Sequence, residues 1–188
     1  MKSEKKGEKE DIMQLEEKTV RKNYIYRGKI INVRCDDAEL PNGRPCRREI
    51  VEHPGGACVL CVKDGKVALV KQFRYAYGEA IYEIPAGKLN EGEDPMLAAE
   101  RELGEETGMI ADELVLRFVL YPTPGYTNEK IFIYEALGVR EGKQHLDEGE
   151  FLNVEFVSIE DALEMVENGA ICDAKTIVAL QRYALEHK

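Results

Sequence analysis

The chain has 188 residues, 44% hydrophobic and 33% charged, enough for one well-filled domain with a small appended element. A net charge of −10 excludes nucleic acid as a general partner, because binding a phosphate backbone needs basic surface. No stretch has the length of a membrane-spanning helix, and the N-terminus lacks the apolar core of a signal peptide, so a cytoplasmic location without membrane contact is expected.

Residues 1–17 are rich in Lys and Glu with little apolar content, and read as a charged flexible arm. Residues 18–52 form an N-terminal β element, with strand-like runs at 19–26, 29–35 and 47–52 and a turn at Pro41-Asn42-Gly43. Too few apolar residues lie there for an independent core. The element is expected to pair with the main domain or with a second copy of the chain.

The main domain, residues 53–188, opens with a hairpin of strands 57–62 and 66–73 around Asp64-Gly65. A short strand at 82–85 leads into a helix. Strands 114–121 and 130–137 flank a loop at 122–128, and 153–157 is the last strand. Ser158 opens a helix closed by Gly169, and Asp173 caps a final helix with Ile177, Leu180 and Ala184 on one side. Mixed strands with helices on both sides predict an α/β/α sandwich, class α/β, beside a small N-terminal antiparallel sheet.

Five cysteines, an odd number, suit a reducing compartment. Cys58 and Cys61 have Cys-x-x-Cys spacing, but on a strand residues three apart face opposite ways and cannot chelate one ion. They read as core thiols.

The segment from Gly87 to Met109 carries the chemistry. Asp94-Pro95 reads as a helix N-cap and first turn, and Gly108 as the C-cap, so a helix is predicted from 95 to 106. Glu102, Glu105 and Glu106 stand at i, i+3 and i+4 on one face, where like charges repel by roughly 0.2–0.5 kcal/mol per pair. Two of them also oppose the helix dipole in its last turn. A solvated acidic face is the bland reading; a hard divalent cation such as Mg²⁺ resolves both conflicts. Met96, Ala99 and Leu103 are expected to form an opposite apolar face, Gly87 to permit a tight loop, and Arg101 to offset and orient the carboxylates.

Gly87, Glu93, Arg101-Glu102-Leu103, Glu105-Glu106 and Gly108-Met109 resemble the Nudix box at all nine defined positions across 23 residues. The box resembles that of hydrolases cleaving a nucleoside diphosphate linked to another group. The rest of the chain from about residue 18 looks most like the ADP-ribose pyrophosphatase branch. The carrying segments are Arg47 to Gly55, Gln72-Phe73-Arg74-Tyr75, Glu83-Ile84-Pro85-Ala86, Thr123-Pro124-Gly125-Tyr126 and Leu146-Asp147-Glu148-Gly149-Glu150. Pro124 stands fifteen residues beyond Met109, the placement that marks ADP-ribose enzymes in this family.

The resemblance implies Mg²⁺-dependent hydrolysis of ADP-ribose to AMP and ribose 5-phosphate, with Mn²⁺ as a substitute metal. It implies metal ligands Glu102, Glu105, Glu106, the Ala86 carbonyl and Glu150, the last on a mobile loop. Glu148 then acts as general base, in a catalytic set with Glu106 and Arg101. A carboxylate base near pKa 4 is weak, so the metal must lower the pKa of the attacking water. Arg48, Glu49, Arg74, Glu83 and Pro124 are the substrate-binding candidates. The two arginines suit a diphosphate, the two glutamates suit ribose hydroxyls or adenine N–H, and Pro124 limits the sugar. With no Trp in the chain, Tyr24 or Tyr26 either stacks on adenine or fills a strand face. His53, beside Pro54 in a turn, reads as structural. A homodimer with exchanged N-terminal strands, bringing Arg48 and Glu49 to the partner's site, is also implied. The alternatives are the same chemistry on other nucleoside diphosphate sugars or NADH and, in a different class, an inactive ADP-ribose-sensing regulator.

Overall fold

The computed structural model describes residues 14–146 and 148–187. Most of the expected N-terminal arm, and Asp147 of the expected catalytic loop, lie outside the described residues. The chain divides into two compact units, Met1–Val51 and Glu52–Lys188.

In the first unit, β1 (Lys18–Arg21), β2 (Tyr24–Arg27), β3 (Asn32–Glu39) and β4 (Pro45–Glu52) build one sheet. The run expected at 19–26 is two strands, not one. Both pair antiparallel with β3, and the break falls at Asn23. There the Asn23 side chain donates to the Cys35 carbonyl at 3.1 Å, and its N–H donates to Asp36 Oδ1 at 3.2 Å. Such side-chain bonds compete with the ladder and shift the register. Every residue of β1 and β2 is exposed. Glu17, placed in the predicted flexible arm, is held by Arg48, whose Nε donates to it at 2.8 Å.

The second unit is built on β5 (Gly56–Lys63) and β6 (Lys66–Arg74). Their turn has Asp64 at φ 52° and Gly65 at φ 74°, the two positive angles a tight two-residue hairpin needs. β7 (Glu79–Glu83) pairs with β6, and β8 (Ala86–Lys88) pairs with β5; the strand expected at 82–85 is broken at Ile84-Pro85. α1 (Pro95–Thr107) follows, then β9 (Met109–Ile110), β10 (Glu113–Leu120), β11 (Ile131–Leu137), β12 (Arg140–Glu141) and β13 (Leu152–Ser158). α2 (Ile159–Glu167) and α3 (Ala174–Glu186) close the chain. The main sheet runs β10-β11-β5-β6-β13, with β11 and β5 parallel and its other pairs antiparallel. The short β9–β12 pair has no counterpart in the sequence reading.

β5 is buried on both faces, which accounts for its unbroken apolar run. Ala57, Val59 and Cys61 pack with Ala98, Ala99 and Leu103 of α1 on one side. Cys58 and Leu60 pack with Ala162 of α2 and Ala179 and Leu180 of α3 on the other. The two cysteines thus enter opposite core layers, and helices cover both faces: the sandwich predicted above. Met96 does not join the apolar face of α1; it is 46% exposed. The buried stripe is Ala98, Ala99, Glu102, Leu103 and Glu106, so two carboxylates lie beside the core contact rather than opposite it. No helix among the described residues is long and apolar enough to cross a membrane.

Candidate active site

The site forms where α1 crosses β8. Asp94 caps α1 by accepting from the Met96 N–H at 2.8 Å, Pro95 occupies its first turn, and Gly108 ends it at φ 70°. Leu103 and its alanine neighbours anchor the helix on β5, which turns Glu102 and Glu106 toward Ala86 and Gly87. The Ala86 N–H donates to Glu106 Oε2 at 2.8 Å. A Cβ on Gly87 would sit 1.7 Å from Glu102 Oε1, so this glycine serves close approach rather than turn geometry.

Arg101 holds the remaining carboxylates. Its Nη1 donates to Glu102 at 2.7 Å and to Glu105 at 3.0 Å, while its Nε donates to Glu93 at 3.0 Å. Glu93 also accepts from the Asn90 N–H at 2.8 Å, tying the loop before α1 to the helix. Burial pushes the Glu102 carboxyl up, more than Arg101 lowers it. Burial drives Glu106 up to about 8, with the charges of Glu102, Glu150 and Glu83 adding to the effect. These are carboxylates confined with too little positive charge. As they stand, no three acidic, His or Cys side chains among the described residues converge tightly enough to hold a cation, and Glu102 and Glu105 both accept from Arg101.

Glu150 is half-buried, and its charge acts on both Glu102 and Glu106, so the fold brings it to the box. Glu148 lies in an exposed turn two residues earlier. Pro124 is exposed in the loop after β10. Arg48 and Glu49 are exposed on β4 of the first unit, with Arg48 paired to Glu17. His53 lies between β4 and β5, where its N–H donates to Asn128 and its Nδ1 accepts from the Gly55 N–H at 3.1 Å.

A cavity of about 220 Å³ opens beside the box, lined by His53, Arg74, Ala86, Gly87, Lys88 and Lys175 among others. Arg74 reaches it from the end of β6, through a fork-like pair with Glu83 whose Nη2 arm measures 2.8 Å. Glu83, expected to accept from ribose or adenine, is 2% exposed, and both its oxygens already accept from Arg74, one of them also from Lys175. It acts within the fold as the anion between the buried Lys175 and the partly exposed Arg74. Burial alone would raise its carboxyl, but the Arg74 hydrogen bonds and the Lys175 charge hold it below the ordinary value.

Lys175 was missed by the sequence reading. It also binds Asp173 at 3.0 Å, and next to it Thr176 accepts from the Ile84 N–H at 2.9 Å. The start of α3 thus clamps the strand break that leads to Ala86. One signal was available: a lysine in the first turn of a helix opposes the dipole and needs carboxylates to hold it.

A family model described as NUDIX domain matches residues 51–180, and one described as nucleoside diphosphate sugar hydrolase N-terminal domain matches residues 17–51. The chain is 49% identical to an ADP-ribose pyrophosphatase of Bacillus subtilis, over 92% of this chain and 95% of that protein. It is 39% identical to a methanol dehydrogenase activator of Bacillus methanolicus, over 92% of this chain and 97% of the relative. A solved structure of an ADP compounds hydrolase superposes with a TM-score of 0.79 at 21% identity, covering 93% of this chain and 97% of that one, and bears on the fold.

Proposed function

The chain belongs to the Nudix hydrolase family, and from that premise we propose that it hydrolyses the diphosphate bond of ADP-ribose to AMP and ribose 5-phosphate. The observation that carries this reading is the buried pair Glu102 and Glu106 against Ala86 and Gly87, beside a cavity containing Arg74 and Lys175. The name of the 49% identical Bacillus subtilis relative supports ADP-ribose as the substrate.

The donor set fits Mg²⁺, or Mn²⁺ in its place. Carboxylates and a carbonyl are hard oxygen ligands, and Glu106 is held up to about 8 by burial with one backbone N–H as its hydrogen-bond partner. Glu102, Glu105, Glu106, Glu150 and the Ala86 carbonyl would hold the metal. When bound, it supplies charge neutralisation at the phosphoryl oxygens and acidifies the attacking water.

The chain's own residues do the rest. Glu148 takes one proton from water as its oxygen attacks phosphorus, and the bridging P–O bond breaks, leaving two phosphate monoesters. Arg101 keeps Glu102 and Glu105 aligned. Arg74 neutralises the diphosphate and Pro124 limits the sugar, while Arg48 and Glu49 reach the substrate of a second copy, Arg48 at the diphosphate and Glu49 accepting from the nucleoside. Glu83 contributes by holding Arg74. Residues 18–52 dimerise, and their exposed Val20, Ile25, Tyr26 and Ile30 support a partner there. The five free cysteines support the cytoplasm.

Incubation with Mg²⁺ and a panel of ADP-ribose, other nucleoside diphosphate sugars and NADH, with products separated by chromatography, tests the reading. ADP-ribose should turn over fastest. A second reading, action on a partner enzyme, is favoured by the name of the 39% identical Bacillus methanolicus relative. No turnover of any panel member would favour it.

A further inference from the structure

The carbonyls in the last turn of a helix have no partner within the helix. At α1 the segment after β12 supplies donors. The Gly142 N–H donates to the Gly108 carbonyl at 2.7 Å, and the His145 N–H donates to the Glu105 carbonyl at 3.1 Å. Between them, the Gln144 side-chain Nε2 donates to the Glu106 carbonyl at 2.6 Å. The approach is close enough to need a bare Cα, since a Cβ on Gly108 would lie 2.8 Å from the Gln144 nitrogen. Three donors therefore meet the negative end of the box helix. Four and six residues beyond Gln144 come Glu148, in an exposed turn, and the half-buried Glu150.

We propose that Gln144 is a positioning residue: its carboxamide, held on the backbone of Glu106, sets the register of the loop carrying Glu148 and Glu150 against the box. The inference rests on the hydrolase reading above and deepens it. Gln144 as a residue is exposed, its bond to Glu106 is partly buried, and one such bond contributes little to global stability. Its effect falls on placement. A loop anchored at one end, four residues from its base, loses rate when the anchor is lost, because small misplacements of a reacting group are costly.

Two variants separate the possibilities. Gln144→Met keeps the length and removes the donor; Gln144→Lys keeps a donor and adds a charge that the helix end favours. For Gln144→Met, kcat should fall roughly three- to tenfold, with KM for ADP-ribose changed less than about twofold. Its melting temperature should stay within about 2 °C, while the His145 amide exchanges faster with solvent. Gln144→Lys should recover at least about half of wild-type kcat. Wild-type kcat in Gln144→Met would overturn the proposal, as would parallel losses in kcat, KM and melting temperature. So would a lysine variant that protects the His145 amide yet stays slow. If the wild-type protein does not split ADP-ribose at all, the hydrolase reading fails by itself, and exchange at His145 still decides whether Gln144 tethers the loop.

Discussion

Gly87 faces the Glu102 carboxylate so closely that a methyl group on its Cα would stand 1.7 Å from Oε1. Gly87→Ala must therefore push Glu102 out of place. The carboxylate is the far end of a flexible side chain and can swing aside at small cost in stability, so the loss falls on the site, and kcat should fall more than about tenfold. In a Glu102→Ala background the same change should cost almost nothing further, because the clash partner is gone. Additive losses in the double variant would show that Gly87 acts through something other than Glu102.

Glu106→Gln replaces a buried carboxyl that burial holds up to about 8 by an amide that cannot ionise, while keeping an acceptor for the Ala86 N–H. The metal-free protein should melt at the same temperature or higher, and kcat should drop below about a tenth, roughly 1.4 kcal/mol of barrier or more. Retention of more than that tenth would remove Glu106 from the metal set.

The box was readable because its spacing serves one helix turn and one close contact, both local in sequence. Asp94, Pro95 and Gly108 announce their own helix ends. The Glu83–Lys175 pair was not readable, since its partners stand 92 residues apart and meet only through packing of α3 on the sheet. Met96 misled because a period of 3.6 marks a face without saying how wide it is. Glu102 and Glu106 were expected on the far side for the same reason: charge usually marks solvent, and here it marks the site. The break at Asn23 depends on side-chain bonds to Cys35 and Asp36 on a neighbouring strand, which no local pattern reveals.

Lys175→Met should leave Glu83 buried with Arg74 as its one cation. Removing one partner of a buried ion pair costs about 3–5 kcal/mol, so a clear fall in melting temperature is expected. The pH dependence has a definite sign. Glu83 is lowered from its ordinary 4.5 in the folded protein, so its contribution is present above that value and lost as pH falls through the folded value. Melting curves from pH 7 to 3 should show a steeper acid loss in wild type than in Glu83→Gln. Identical slopes would mean that Glu83 is not held as an anion.

Glu148→Gln should lower kcat with little change in KM, because a base acts in the transition state. Glu150→Gln should instead raise the Mg²⁺ concentration needed for half-maximal rate, since Glu150 is the one whose charge reaches Glu102 and Glu106. Exchanged phenotypes would reverse the two roles, and full activity in both would move the base to another loop.

The exposed β1 and β2 strands leave Val20, Ile25 and Tyr26 in solvent, a surface and a sheet edge that a second copy would cover. If that dimer brings Arg48 to the partner's site, two crippled variants can complement each other. A mixed dimer of Arg48→Ala and Glu106→Gln would hold one site with both lesions and one with neither. Activity should then rise on subunit exchange toward a quarter of the wild-type level, because about half the dimers are mixed and half of their sites are intact. Exchange shown by a fluorescent label without recovery would place Arg48 in its own chain's site. A monomer in sedimentation would remove the shared site altogether.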